Sequence, residues 1–184
     1  MTASSESLRH ESAVGHVTGR AIYTDEQRPP SGMLSVYPVQ APHAHARILA
    51  IDTDGALALP GVHAVLIASD VPGENDTGPI FHDEPLIPAD TVLFHGQAVA
   101  WVVADDEALA QAAAKRVSVT YEALPALLSI EQAMAAQAFH LPPARVARGD
   151  ASAAMAGAPI RLSGELQMGG QDHFYLETQA SWVE

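Results

Sequence analysis

Residues 98–121 read AVAWVVADDEALAQAAAKRVSVTY and predict a strand–helix–strand unit. Residues 98–104 form a compact apolar run, which is typical of a buried strand. Asp105 is then predicted to cap a helix, because an aspartate side chain can accept a hydrogen bond from a free backbone N–H group at a helix start. Acids begin this helix and bases end it, an order that complements the helix dipole: Asp106, Glu107, Lys115 and Arg116. Residues 117–121 return as a second strand, so the unit indicates a domain built from both helices and strands.

Upstream of this unit the sequence predicts further strands and a long loop. Apolar runs predict three strands, at residues 33–40, 47–53 and 62–68. In the second of them the residues at odd and at even positions, which face opposite sides of a strand, are both mostly apolar. This predicts a strand covered on both faces. A short helix is expected over residues 54–59, closed by Pro60-Gly61. Residues 70–90 are rich in prolines and acids and are interpreted as a long ordered loop.

The C-terminal third is predicted to lead into a second domain. Ser129 and Gln132 have capping-box spacing and predict a second alanine-rich helix, to about Gln137. Residues 139–158 are loop-like, and residues 161–167 and 172–183 have the pattern of two strands. Because a strand pair alone is marginally stable, we expect the chain to be a fragment of a longer protein. The sequence therefore predicts four segments along the chain: a flexible N-terminus (1–14), a folded domain (15–137), a linker (138–158) and the truncated start of another domain (159–184).

Composition excludes several classes of function. The 184-residue chain carries 22 acidic residues against 9 lysines and arginines, a formal net charge of −13. Nucleic-acid binding needs clustered cations, so we expect no nucleic-acid partner. The chain has no cysteine and therefore no iron–sulfur cluster or thiolate zinc site of its own. No secretory signal is visible and no apolar run approaches the roughly 18 residues that span a bilayer, so we expect a cytoplasmic protein with no membrane partner.

Residues 169–179 read GGQDHFYLETQ and contain the candidate binding residues. Gly169 and Gly170 lack a Cβ atom, so their backbone can approach a ligand closely. Gln171 offers a carbonyl acceptor and an amide donor on one short side chain. The residues that follow alternate between apolar and polar, which predicts a strand whose polar face holds His173, Tyr175 and Glu177. The same pattern also fits a glycine turn leading into an ordinary half-buried strand.

This stretch resembles the GGQ-[DE]-HFYLE motif of the molybdenum hydroxylases. Other short blocks follow that family in the same order, among them GRAIYTD at 19–25, DVPGEND at 70–76 and VTYEALPA at 119–126. The resemblance runs from about Gly15 to the last residue. NDTGPI at 75–80, together with DEP at 83–85, favours the xanthine dehydrogenase branch of the family.

The resemblance implies a fold, a cofactor and partners. The fold is α+β: a mixed-sheet α/β hammerhead domain, then the first strands of a molybdopterin-binding domain. The full-length subunit would hold a molybdopterin-type molybdenum cofactor, with Gln171 hydrogen-bonded to a metal oxo group and Gly170 allowing close approach. Iron–sulfur clusters and FAD would lie on partner subunits or domains and pass electrons from a purine, hypoxanthine or xanthine, to NAD. The family's catalytic glutamate lies far toward the C-terminus, so no catalytic residue is assigned here and the isolated chain is expected to be inactive.

Two histidine motifs invite a metal-site interpretation, but we predict no metal ligand among the side chains. His43 and His45 would place both rings on one face of a strand at ligand spacing, yet no third ligand is identifiable. The run His82-Asp83-Glu84 lies in the predicted proline-rich loop. It is interpreted as an exposed acidic turn or a subunit contact.

Two other functions remain open at this point. The chain could belong to a different molybdenum hydroxylase, such as an aldehyde or N-heterocycle oxidoreductase, because the residues that select the substrate would lie downstream. It could also be a hammerhead module without catalytic activity, serving as a scaffold for assembly.

Overall fold

The computed structural model describes residues 10–173 and 180–183 of the chain. They fall into two compact units: one comprises residues 30–142, and the other combines the described residues up to 29 with those from 143 onward. The buried apolar side chains of the described part all belong to the first unit. None of the helices in these ranges combines the length and the apolar character needed to cross a membrane.

Short strands and helices alternate along the described residues. The strands are β1 (Ser35–Gln40), β2 (Ala46–Asp52), β3 (Val62–Leu66), β4 (Thr91–Val92), β5 (Ala98–Ala104) and β6 (Ser118–Ala123). The helices are α1 (Ala13–Thr18), α2 (Asp54–Leu57), α3 (Glu107–Ala114), α4 (Ile130–Ala135) and α5 (Ala151–Gly157). The three strands predicted upstream, the short helix after the second of them and the strand–helix–strand unit are thus confirmed, with small shifts of their boundaries.

The strands of the first unit form two three-stranded sheets. Their orders are β1-β5-β3 and β4-β2-β6. The α+β class is confirmed, but all the pairings in the described ranges are antiparallel, whereas the resemblance implied a mixed sheet. The reason is that β5 and β6, which α3 connects, lie in different sheets, so this connection makes no parallel pair within one sheet. Pro38 lies in β1, an edge strand, where its missing N–H group removes no hydrogen bond from the sheet interior.

The core lies between the first sheet, α3 and the inner side of the second sheet. Val102 of the central strand β5 pairs with Tyr37 and Val65 on its two sides and is fully buried. Burying a valine side chain of this size contributes about 1.5–3 kcal/mol. The buried residues of α3 are alanines, and their small side chains let the helix lie close to the sheet: Ala110, Ala113 and Ala114.

The prediction that β2 is covered on both faces is wrong. Ala46 is fully buried, but Leu49 is 56% exposed and the outward residues of the strand are open to solvent. On that outer side Arg47 forms an ion pair with Glu122 of β6. The apolar residues on both sides of β2 therefore do not indicate two covered faces, because nothing in the first unit packs on the outer side of this sheet.

The predicted cap of α3 is displaced by one residue. Asp106, and not Asp105, is the N-cap, and its carboxylate accepts a hydrogen bond from the Leu109 N–H group at 2.8 Å. Asp105 continues the sheet instead, since its N–H group donates to the carbonyl of Gly61 at 2.9 Å. Its carboxylate oxygen Oδ1 lies 2.7 Å from Nε2 of His63, within hydrogen-bond distance.

The cap predicted for α4 is confirmed. The Ser129 hydroxyl oxygen accepts a hydrogen bond from the Gln132 N–H group at 3.2 Å, and the Gln132 side chain accepts one from the Leu128 N–H group at 2.8 Å. The helix begins at Ile130 and ends at Ala135. Two free N–H groups at the helix start are satisfied in this way, which stabilises a helix too short to persist by propensity alone.

Three predictions for the second unit need correction or lie outside the described residues. Residues 139–158 are not all loop, because α5 forms there and is capped by Asp150, whose carboxylate accepts from the Ala153 N–H group at 2.9 Å. Residues 161–167 form no strand: Leu162 is 92% exposed, and no strand among the described residues supplies hydrogen bonds. In the strand predicted for 172–183, the described ends, 172–173 and 180–183, are not strand, and 174–179 lie outside the described residues.

Candidate functional site

The candidate residues Gly169, Gly170 and Gln171 lie in an open, solvent-exposed stretch without helix or strand. A Cβ atom added to either glycine would meet nothing within 4 Å. No turn in the described structure therefore requires these two glycines, and their backbone is free for close approach by another molecule. The walls of a complete binding site do not come from this stretch alone.

The donor set of this stretch suits a metal oxo group. Gln171 carries a neutral amide that can donate a hydrogen bond to an oxygen atom without adding charge. A neutral donor beside a redox metal holds its oxygen ligand while leaving the charge of the centre unchanged. The chemistry of Gln171 and the accessible backbone of Gly170 thus fit an oxygen-bearing metal cofactor.

Of the three polar residues predicted to share a strand face, only His173 lies within the described residues, and it is exposed. Tyr175 and Glu177, which were predicted to share its strand face, lie outside the described residues.

The histidines of the His-x-His motif have separate structural contacts. They precede β2, so the predicted strand face does not carry them. His45 Nδ1 lies 2.7 Å from the carbonyl oxygen of Pro125, just after β6. The ring of His43 packs edge-on against Tyr121 with the ring centroids 5.0 Å apart. The two rings therefore contact different parts of the first unit, at and just after β6.

A cluster in the long loop was not anticipated from the sequence. Ligand-capable atoms of Glu74, Asp76 and His82 all lie within 4.8 Å of one another, and His82 Nδ1 is 3.4 Å from the Asp76 carboxylate. The sequence drew attention to His82-Asp83-Glu84, but Asp83 and Glu84 do not belong to this cluster. Exposed acidic groups of this kind are common without a metal, and Glu74 and His82 are exposed, so we assign no metal to them.

An open groove of about 410 Å³ lies where β1, the end of α3 and β6 meet. Gln111 donates a hydrogen bond to the Tyr37 hydroxyl at 3.2 Å on one side of it. Burial raises the pKa of the Tyr121 phenol above its usual range on the other side. Its lining mixes apolar residues with a few polar ones, among them Gln40, Gln111 and Lys115. No cluster of charges or nucleophilic groups converges there, so the groove is not a candidate for catalysis.

Comparison with known protein families identifies both parts of the chain. The model of the aldehyde oxidase and xanthine dehydrogenase a/b hammerhead domain matches residues 18–125. The chain belongs to the aldehyde oxidase and xanthine dehydrogenase family. The model of the molybdopterin cofactor-binding domain matches residues 131–184, a segment that contains Gln171. The resemblance inferred from the sequence motifs is therefore confirmed.

Individual members of the family are similar over nearly the whole chain. The xanthine dehydrogenase of Oryza sativa is 43% identical over 185 residues, which cover 99% of this chain and 14% of the rice protein. The xanthine dehydrogenase of Dictyostelium discoideum is 39% identical and covers 96% of this chain and 13% of its own length. The aldehyde oxidoreductase of Desulfovibrio gigas superposes with a TM-score of 0.69 at 35% identity, over 82% of this chain and 19% of that chain. The chain thus spans only a small part of its relatives.

Proposed function

We propose that this chain is the N-terminal part of the molybdenum-binding portion of a xanthine dehydrogenase. The observation that carries the proposal is the order of the two family models, hammerhead then molybdopterin-binding, over a chain 43% identical to a plant xanthine dehydrogenase. The full-length enzyme would hydroxylate hypoxanthine or xanthine. The isolated chain would not, since the family's catalytic glutamate lies outside it.

In this proposal the first unit is a scaffold, and the exposed stretch at 169–171 contributes one wall of the cofactor site. When bound, the molybdenum cofactor supplies the redox chemistry of the hydroxylation. Gln171 would orient an oxygen ligand of the metal through its side-chain amide. Gly170 would let the backbone pass close to the cofactor, because it has no Cβ atom. The space is also open, since a Cβ atom added there would meet no described atom within 4 Å.

Electron transfer must use groups held elsewhere. The chain has no cysteine, so iron–sulfur clusters that accept electrons from the molybdenum centre would be bound by another domain or subunit, together with FAD. We also expect the full-length enzyme to work in the cytoplasm. Both statements are predictions for the full-length protein.

Substitution of Gln171 in the full-length enzyme tests the role of this stretch. We expect Gln171→Ala to lower kcat by about 10–100-fold, the usual cost of losing an outer contact to a metal ligand, with molybdenum content and melting temperature retained. Gln167→Ala is the matched control, since Gln167 is exposed in the same stretch but outside the glycine–glutamine motif. Wild-type turnover in Gln171→Ala with full molybdenum loading would show that Gln171 has no role at the cofactor.

An aldehyde oxidoreductase is the second candidate, because the aldehyde oxidoreductase of Desulfovibrio gigas superposes on this chain with a TM-score of 0.69. In either case the residues that select the substrate would lie downstream of the chain. Comparing kcat/KM for xanthine and for a small aromatic aldehyde, with the full-length enzyme, separates the two. Preference for the aldehyde would favour the second candidate while leaving the role of Gln171 unchanged.

A further inference from the structure

We draw no further inference here: the strongest candidate, the cluster of Glu74, Asp76 and His82 in the long loop between β3 and β4, carries nothing, because Glu74 and His82 are exposed, the Asp76 carboxylate already has partners in the Gly78 N–H group and His82, and no second observation in the described part of the chain points to a ligand.

Discussion

The side chain of Asn75 pairs with both backbone polar groups of Ile87, twelve residues further along the chain. Its Nδ2 atom donates to the Ile87 carbonyl at 2.7 Å, and its Oδ1 atom accepts from the Ile87 N–H group at 3.1 Å. Ile87 is only 3% exposed, so its backbone groups have little access to water and need partners within the protein. This pairing, together with the 2.8 Å bond from the Thr77 N–H group to the Glu84 carbonyl, gives the long loop its order.

Replacing Asn75 is expected to destabilise the first unit. Asn75→Ala leaves the Ile87 N–H and carbonyl groups unpaired, which costs about 1–3 kcal/mol in the free energy of unfolding. Asn75→Asp should also be destabilising, because a carboxylate cannot donate to the Ile87 carbonyl. Urea unfolding of the chain measures both. The neighbouring variant Glu74→Ala, at an exposed position, should change stability by less than about 0.5 kcal/mol; an equal effect of Glu74→Ala and Asn75→Ala would contradict this account.

Removing the cap of α3 distinguishes two adjacent aspartates. Asp106→Ala should lower the free energy of unfolding by about 1 kcal/mol, because the Leu109 N–H group loses its acceptor at the helix start. Asp105→Ala removes only an exposed contact with His63, and pairs of that kind contribute about 0–1 kcal/mol. Denaturant unfolding of the two variants side by side makes the comparison. A larger loss for Asp105→Ala would show that the cap lies one residue earlier.

Packing of α3 on the first sheet can be tested with two neighbouring alanines. Ala113 is fully buried, so Ala113→Leu forces extra methyl groups into a closed space and should cost about 1–3 kcal/mol. Ala112 is exposed on the same helix, and Ala112→Leu should change stability by less than about 0.5 kcal/mol. Thermal unfolding of both variants checks the expectation, and a well-tolerated Ala113→Leu would mean that the helix stands further from the sheet than described.

Stability at alkaline pH is expected to depend on Tyr121. Burial raises the pKa of its phenol in the folded chain, so the folded state retains the proton at a pH where the unfolded chain releases it. The contribution of Tyr121 is therefore complete below the unfolded pKa and is lost as pH rises through the raised folded pKa. Tyr121→Phe cannot ionise and should lose less stability than the parent chain between neutral and strongly alkaline pH. If the melting temperatures of the parent chain and of Tyr121→Phe fall equally with rising pH, this assignment is refuted.

Local patterns predicted the elements of the first unit well, but they could not choose between adjacent residues of equal chemistry. Asp105 and Asp106 can both cap a helix. The choice is made by a distant contact, the hydrogen bond from the Asp105 N–H group to Gly61, which holds Asp105 in the sheet. In the same way, the apolar residues of β2 gave no sign that the outer side of its sheet would be left open.

The features of the surface depend even more on tertiary structure. Gln171 was identified from a motif that needs no folded context. The outer side of the first sheet could not be identified, because Val36 and Tyr37 of β1 are both apolar enough for a core, and only pairing with β5 decides which side faces α3. The strand predicted for residues 161–167 is absent for a related reason, since its pattern was adequate but no strand in the described part of the chain pairs with it.

Molybdenum content and xanthine turnover, measured together on the purified full-length protein and on the 184-residue chain, test the central claim most directly. A molybdenum-binding portion of a xanthine dehydrogenase should contain a full complement of molybdenum and oxidise xanthine with reduction of NAD when its electron-transfer partners are present. The 184-residue chain should do neither, because in the proposed function it contributes one wall of the cofactor site and the catalytic base lies outside it. A full-length protein that contains no molybdenum and oxidises neither purines nor aldehydes would contradict the account, as would robust xanthine turnover by the 184-residue chain alone.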